Sequence, residues 1–470
     1  MGKIRSESRI VKLIKNSNIA FIEKELIPFL RLPSNTLNSM GILKAKEFLK
    51  SYISNLTNNL KEFDGEVNPL IIAKVEGEIK DSLLIYMMYD TQPVNKEKQW
   101  ISPPFGAEIN KFSNKLSKLG DCIIARGAYN SKTPLLCFLN IIKLLKKEEQ
   151  LPISLLLVID GEEEIGSPTL LKLLEKRKDL FNSCLDSYYP STKQDLDGNA
   201  VLKLGYKGIL AFTLRVSTIN EESHSAFASM IPNAAIDLIS ILSSLYSDNN
   251  FKIDCFNKPY ILNKEEKSII DDLVSKLDIN KIKAKAGIIQ TIEEDPQKSF
   301  VNYLFNPTFN ISTIKSGYLG KGIKNMVPNC AECNIDIRFA HDISIEAIMK
   351  ELRERIEKFK KPLKTKIELV KNIGYEASRV NKNSILIKSL LRSFDALDIP
   401  TELWPISAAA APLSKIKKEL GLNFITGGLG IGGFAHSPNE FIQLSSIINT
   451  RLANYFFLKL YSQLYKEKTF

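Results

Sequence analysis

Ile153-Ser-Leu-Leu-Leu-Val-Ile-Asp160, continued by Gly161-Glu-Glu-Glu-Ile-Gly-Ser-Pro168, is the stretch on which the fold turns. Apart from Ser154 and the closing Asp160 the first eight positions are apolar, which suits a strand covered on both faces. Gly161 ends it in a sharp turn. Ser167 offers an N-cap oxygen and Pro168 a first helical residue with φ already set, so a helix is expected through Thr169 to Lys176. Glu162, Glu163 and Glu164 are then held on a loop at the carboxyl end of a central strand, where open α/β sheets bind ligands. On a solvated turn three adjacent carboxylates cost little. In a cleft they need a cation or a proton to offset their repulsion.

Outward from this stretch, Leu70 to Val75 and Leu83 to Tyr89 read as two more strands, the second apolar throughout. Residues 18 to 62 read as two amphipathic helices broken at Pro33-Ser-Asn, Thr91 to Asp121 as a polar loop, and Leu135 to Leu145 as a helix. Strands alternating with helices imply an α/β fold with a mainly parallel, doubly wound sheet. After Gly208 the pattern changes. Ile209 to Val216, Phe309 to Ile314 and Ala331 to Phe339 mix apolar and polar residues as an antiparallel sheet with one solvated face would. Helices near Ala234 to Tyr246 and Ile343 to Phe359 would cover its other face. From about Asn372 the α/β pattern returns, with a helix over Ile385 to Phe394, a short strand at Asn423 to Thr426 and a long closing helix from Phe441 to Tyr465. The expected organisation is an α/β domain made of residues 1–207 and 372–470, interrupted by a smaller α+β domain at 208–371. The glycine-rich Gly427 to Gly433 is read as a flexible turn presenting His436. A dinucleotide fingerprint would open a helix directly, whereas Phe434-Ala-His436-Ser-Pro-Asn-Glu440 intervenes.

With 470 residues, 44% apolar and 25% charged, the chain has the composition of a globular protein of two or three domains. The net charge of +11 is spread along the sequence, and the densest run, Lys350 to Lys366, alternates with Glu351, Glu354 and Glu357 as a solvated helix does. No basic stripe is interleaved with aromatics, so no nucleic-acid partner is expected. No apolar run is long enough to span a membrane, and Met1 to Ser8 has no apolar signal core. Six cysteines in a chain of this length suit a reducing compartment, and a cytoplasmic location is expected. Cys330-Ala-Glu-Cys333 is the one close pair and lacks the further ligands a structural zinc requires.

Four segments in consistent order resemble those of the two-zinc family of aminoacylase, acetylornithine deacetylase, succinyl-diaminopimelate desuccinylase and carnosine dipeptidase. Tyr86-Met-Met-Tyr-Asp90-Thr-Gln-Pro-Val94 is similar to the family's Gly-His-Tyr-Asp-Val-Gln-Pro, and Arg126-Gly-Ala-Tyr-Asn130-Ser-Lys132 to its Arg-Gly-Ala-x-Asp-Asp-Lys. Asp160 to Ser167 resembles Glu-Gly-x-Glu-Glu-x-Gly-Ser, and His436-Ser-Pro-Asn-Glu440 resembles His-Ser-x-Asn-Glu. Phe309 to Arg338 is similar to the family's lid domain. The resemblance implies a split catalytic domain, here 1–207 and 372–470, with a lid or dimerisation domain at 208–371 inserted into it.

Carried over by position, the resemblance assigns Glu163 as general base and Glu164 and His436 as ligands of one metal. Asn130 stands where the family has a bridging Asp, Met88 where it has a His, and Ser191 or Thr192 where it has a second Asp; Asp90 would orient the missing His. A thioether is a poor match for zinc beside hard oxygens, and an amide offers a neutral carbonyl in place of a bridging carboxylate. His224 matches a lid histidine that reaches a partner subunit's site, and Arg338 a lid arginine that binds a substrate carboxylate. In Ile406-Ser-Ala-Ala-Ala-Ala-Pro412, Ile406 and Ala410 replace the family's Arg and Ser. Two expectations follow. In the first, the chain is a non-catalytic or impaired homologue of zinc peptidases and amidohydrolases, acting in binding or assembly and pairing through its lid with itself or a relative. In the alternative it is an active dipeptidase, carboxypeptidase or deacylase using one metal at Glu164 and His436. The cofactor expectation is none or one weakly bound zinc, manganese or cobalt, and the expected ligand is a small carboxylate or peptide.

Overall fold

The computed structural model describes residues 8–469, apart from Lys96, Asn114, Glu149, Leu277 and residues 361–363. The opening residues on which the leader reading rests lie outside this range. Two compact units emerge: residues 1–204, 379–404 and 415–470 in the first, and 205–378 with 405–414 in the second.

The first unit is built on a six-stranded sheet in the spatial order Leu60–Phe63, Leu70–Val75, Ile153–Asp160, Ile79–Met88, Cys184–Pro190 and Phe424–Gly427. The four strands from Ile153–Asp160 to Phe424–Gly427 run parallel, and the two at the other end are antiparallel. Every residue of Ile153–Asp160 is buried, as an apolar strand flanked on both sides requires. Its register sets Met88 beside Asp160 at the carboxyl end of the sheet. Helices Lys132–Glu148, Ile385–Asp395 and Ile447–Thr469 pack together in this unit. Among the described residues no helix is long and apolar enough to cross a membrane.

Two sequence expectations fail here for physical reasons. Leu60–Phe63 is a strand rather than the end of a helix, because after Ser54 the chain turns at Asn55 to Asn59 and then pairs with Leu70–Val75. The closing helix begins at Ile447, and Phe441–Gln443 is instead a strand paired with Cys122–Ile124. Its apolar pair Phe441 and Ile442 fits either period, and Gln443 is fixed by donating its amide to Leu119 O at 2.9 Å.

The second unit carries a four-stranded antiparallel sheet in the order Thr308–Ser316, Cys330–Phe339, Gly208–Ser217 and Lys366–Tyr375. Alternate residues Leu210, Phe212, Leu214, Val216, Ile335 and Ile337 share a core with Ala234–Leu245 and Ile345–Lys360. The opposite face is polar, with Thr213 donating to Asn334 at 2.7 Å and Asn310 to Asp336 at 2.7 Å. Cys330 is exposed and Cys333 is in the core, so the two thiols do not share a site. Helices Lys264–Lys276, Ile279–Ala286 and Pro296–Phe305 complete the unit and were not anticipated from the sequence.

Candidate metal centre

The turn after Ile153–Asp160 is shaped by contacts that leave no room for a side chain at Gly161: an added Cβ would lie 2.6 Å from the Tyr89 hydroxyl and 2.7 Å from the Pro69 carbonyl. Asp160 accepts from the Tyr86 hydroxyl at 3.0 Å and from the Glu162 amide at 2.9 Å. Glu162 then turns away from its two neighbours. It is buried, and it accepts from the Val67 and Asn68 amides at 2.6 and 3.0 Å and from the Thr169 amide at 3.0 Å. Glu162, rather than Ser167, therefore caps the helix Pro168–Lys176. Ser167 sits at φ 56° without a capping bond, its hydroxyl 3.2 Å from that of Tyr86.

Glu163 and Glu164 open a short 3-10 turn whose backbone is held by Asp90. One carboxylate oxygen of Asp90 accepts from Glu163 N at 3.2 Å; the other accepts from Glu164 N at 3.1 Å and from the Thr36 hydroxyl at 3.0 Å. With methionine at position 88 there is no imidazole for Asp90 to orient. Its contacts are instead to the backbone that carries the two glutamates.

Three side chains from distant segments meet beside Glu163. Glu164 Oε2 lies 3.3 Å from His436 Nε2, Asn130 Nδ2 lies 3.3 Å from that same nitrogen, and Asn130 Nδ2 lies 3.3 Å from Glu164 Oε1. Gln92 donates to Glu164 Oε2 at 2.8 Å. Glu164 is 5% exposed, whereas His436 is 54% exposed and held at φ 63°. Gly428, at φ 135°, lets the preceding loop close on Ser191, whose carbonyl an added Cβ would meet at 2.2 Å.

Negative charge accumulates here. Burial, then the charges of Glu164 and Asp160, push the Glu163 carboxyl up to about 8. Burial, and then Asp160, holds Asp90 well above the usual carboxylate range, and burial lifts Asp160 to about 6. His436 is raised by its hydrogen bond to Glu164. The ammonium of Lys193 is pushed down to about 8 by burial and then by Lys203, with Glu163 acting the other way. Gln92 and Lys193 are the members of this cluster that sequence reasoning did not single out. Gln92 stood inside a quoted segment, and nothing in the sequence marked Lys193.

A cation fits one side of this cluster. Two donors, each roughly 2.0–2.2 Å from a tetrahedral ion, stand about 3.3–3.5 Å apart; Asn130 Nδ2 and Glu164 Oε2 are each 3.3 Å from His436 Nε2, and Asn130 Nδ2 is 3.3 Å from the other Glu164 oxygen. A half-turn of the Asn130 amide exchanges its nitrogen for its oxygen without moving the rest of the residue. Among the described residues no group of three His, Cys, Asp or Glu side chains converges as a metal site, so a cation here draws on the neutral amide as well.

The residues at the other metal position of the resemblance are engaged elsewhere. Met88 is buried at the strand end, and the Thr192 hydroxyl is engaged in donating to Tyr129 O at 2.8 Å. The Asp195 oxygens accept from the amides of Asp197 and Asn199 and from the Asn199 side chain. Asp186 accepts from Tyr461 and Asn423. No carboxylate between residues 186 and 195 stands in for the second Asp ligand.

His224 and Arg338 belong to the second unit. His224 is exposed, its Nδ1 accepting from Ala226 N at 3.2 Å, and Arg338 is 38% exposed with its Nε 3.7 Å from Asp336. His341 packs edge-on to Phe256 and Tyr260 at ring separations of 5.4 and 5.6 Å.

Comparison with known proteins agrees with this architecture. A family model described as a peptidase dimerisation domain matches residues 204–364. The Cys-Gly metallodipeptidase DUG1 of Candida albicans is 24% identical over 397 residues, 82% of this chain and 79% of that protein. The Beta-Ala-His dipeptidase of Rattus norvegicus is 23% identical over 62% of this chain and 58% of its own length. Among solved structures, the M20 family metallo-carboxypeptidase Sso-CP2 of Sulfolobus solfataricus is 26% identical and similar with a TM-score of 0.80, over 97% of this chain and 100% of that one. With the four sequence segments in order, these likenesses show a peptidase dimerisation domain at residues 204–364 in a chain similar over most of its length to metallopeptidases of the M20 family.

Proposed function

We propose that the chain is a hydrolase of short peptide or N-acyl amide bonds that works with one divalent cation held by Glu164, His436 and Asn130. The observation that supports this most is the meeting of an imidazole, a carboxylate and an amide at 3.3 Å, beside Glu163 and among carboxyl groups whose mutual repulsion a cation relieves. The relatives named as dipeptidases favour hydrolysis over a purely structural role. A bound cation supplies Lewis acidity toward a substrate carbonyl. Glu163 is the general base: it takes a proton from the attacking water and returns it to the leaving nitrogen. Asp90 keeps Glu163 and Glu164 in place through their amides, and the Lys193 ammonium favours the ionised form of Glu163. His224 and Arg338 are assigned, on resemblance, to recognition of a substrate carboxylate.

The test is turnover of dipeptides and N-acyl amino acids by the purified protein with added zinc, manganese or cobalt. Hydrolysis that a chelator removes and fresh metal restores is expected. A second reading, the non-catalytic homologue, is favoured by one observation: Glu164 already receives Gln92, Asn130 and His436, which satisfies its carboxylate without any metal. No turnover with any of the three metals would select it.

The lid unit is proposed to pair two copies of the chain. Ile236 and Ile239 on Ala234–Leu245, and Ile311 and Ile314 on the edge strand Thr308–Ser316, are exposed apolar residues suited to such an interface. Ile236→Glu combined with Ile314→Lys is expected to halve the mass measured by light scattering; an unchanged mass would move the interface elsewhere. The cytoplasmic location is proposed on the strength of six free cysteines.

A further inference from the structure

Glu440 ends the segment that presents His436 and is 1% exposed. Its carboxylate accepts four hydrogen bonds from residues more than 300 positions away in sequence. One oxygen takes Arg126 Nη1 at 2.8 Å and Gly127 N at 3.0 Å, and the other takes Tyr129 N at 3.0 Å and Asn130 N at 3.0 Å. Its carbonyl accepts from Ala125 N at 3.0 Å. The Arg126 guanidinium, itself 2% exposed, lies 5.4 Å over the Trp100 ring, and its amide donates to Pro104 O at 2.7 Å. On the other side of Glu440, Phe434, His436 and Asn439 all have left-handed backbones, at φ 58, 63 and 64°. Such conformations persist in residues with side chains only where surrounding contacts hold them.

We infer that Glu440 is the positioning residue of the centre: its carboxylate locks the backbone of Asn130 to the segment bearing His436, and so fixes the separation of two of the three groups that face the cation. The inference rests on the single-cation reading. A carboxylate offers about four acceptor positions, and all four are taken here. Glutamine keeps the size of the side chain but has one oxygen, so part of the 126–130 loop loses its acceptor.

The experiment compares the whole wild-type chain with Glu440→Gln and with Arg126→Met/Glu440→Gln. The single variant leaves a buried guanidinium without its anion and is prone to unfolding; the double variant removes both charges and keeps the fold testable. Zinc affinity, read by calorimetric titration, is expected to fall roughly 10–100-fold in the double variant, as loss of an outer-shell partner does elsewhere. Amide exchange at Tyr129 and Asn130 is expected to accelerate in the same protein without metal. Wild-type zinc affinity with wild-type exchange in the folded double variant would overturn the inference. If wild type takes up no zinc, the single-cation reading fails instead, and exchange at the two amides alone decides the role of Glu440.

Discussion

Glu163→Gln is expected to lower amide hydrolysis by about 10²–10⁴-fold, the usual contribution of a positioned general base, while zinc uptake stays at its wild-type level. The two readouts separate because Glu163 makes none of the contacts that join Asn130, Glu164 and His436. Loss of zinc together with activity would mean that Glu163 is a ligand. Retained activity would mean that the proton is carried by another group.

The same substitution has a stability signature in the metal-free protein. The Glu163 carboxyl has an ordinary value of 4.5 and is pushed up to about 8 in the fold, chiefly by burial. The folded chain therefore binds more protons than the unfolded chain between these values, and stability falls as pH rises through that window. Glutamine removes this decline, so the thermal midpoint of Glu163→Gln is expected to exceed that of wild type by a margin that grows from pH 5 to pH 8. Lys193 acts at higher pH. Its ammonium is held down at about 8 against an ordinary 10.5, so its contribution recovers as pH rises from about 8, which keeps the two effects apart. A margin independent of pH would show that Glu163 is not desolvated.

Met88→His, Asn130→Asp and Ser191→Asp combined are expected to raise zinc uptake from one equivalent per chain to two. The resemblance places the family's His at Met88, its bridging Asp at Asn130 and its second Asp at Ser191 or Thr192. Asp90 stays two residues from position 88, with both carboxylate oxygens near the site. Added carboxylates also increase the repulsion already raising Glu163, which two dications would reverse. A triple variant that remains at one equivalent would mean that Ser191, buried beneath Gly428, is out of reach of the site.

Much of the centre was legible because buried strands leave a strong signal. Eight consecutive core residues followed by Gly161 place Glu163 and Glu164 at a strand end on pattern alone. The separate paths of the three glutamates were not legible, since Glu162 is drawn away by amides of Val67 and Asn68 that lie 95 and 94 positions earlier. Asp90 resembled an orienting residue for a histidine that is absent, yet its bonds are to the backbone of the glutamate turn. Ser167 had the side chain of an N-cap and lacked the geometry, because its left-handed backbone turns the hydroxyl toward Tyr86. In the lid, the alternation of Gly208–Ser217 announced an antiparallel sheet with one solvated face. The helices between residues 264 and 305 carried no motif, and in Lys264–Lys276 charged residues outnumber the apolar ones.

The most direct test is the number of zinc ions bound per chain, measured by elemental analysis of the wild-type protein after saturation with zinc and removal of free metal. One equivalent, lost in Glu164→Ala and in His436→Ala, is the predicted result. Two equivalents would contradict the account by showing that Met88, Asn130 and the residues at Ser191 and Thr192 do not prevent a second ion from binding. None would show that Gln92, Asn130 and His436 satisfy Glu164 without a cation.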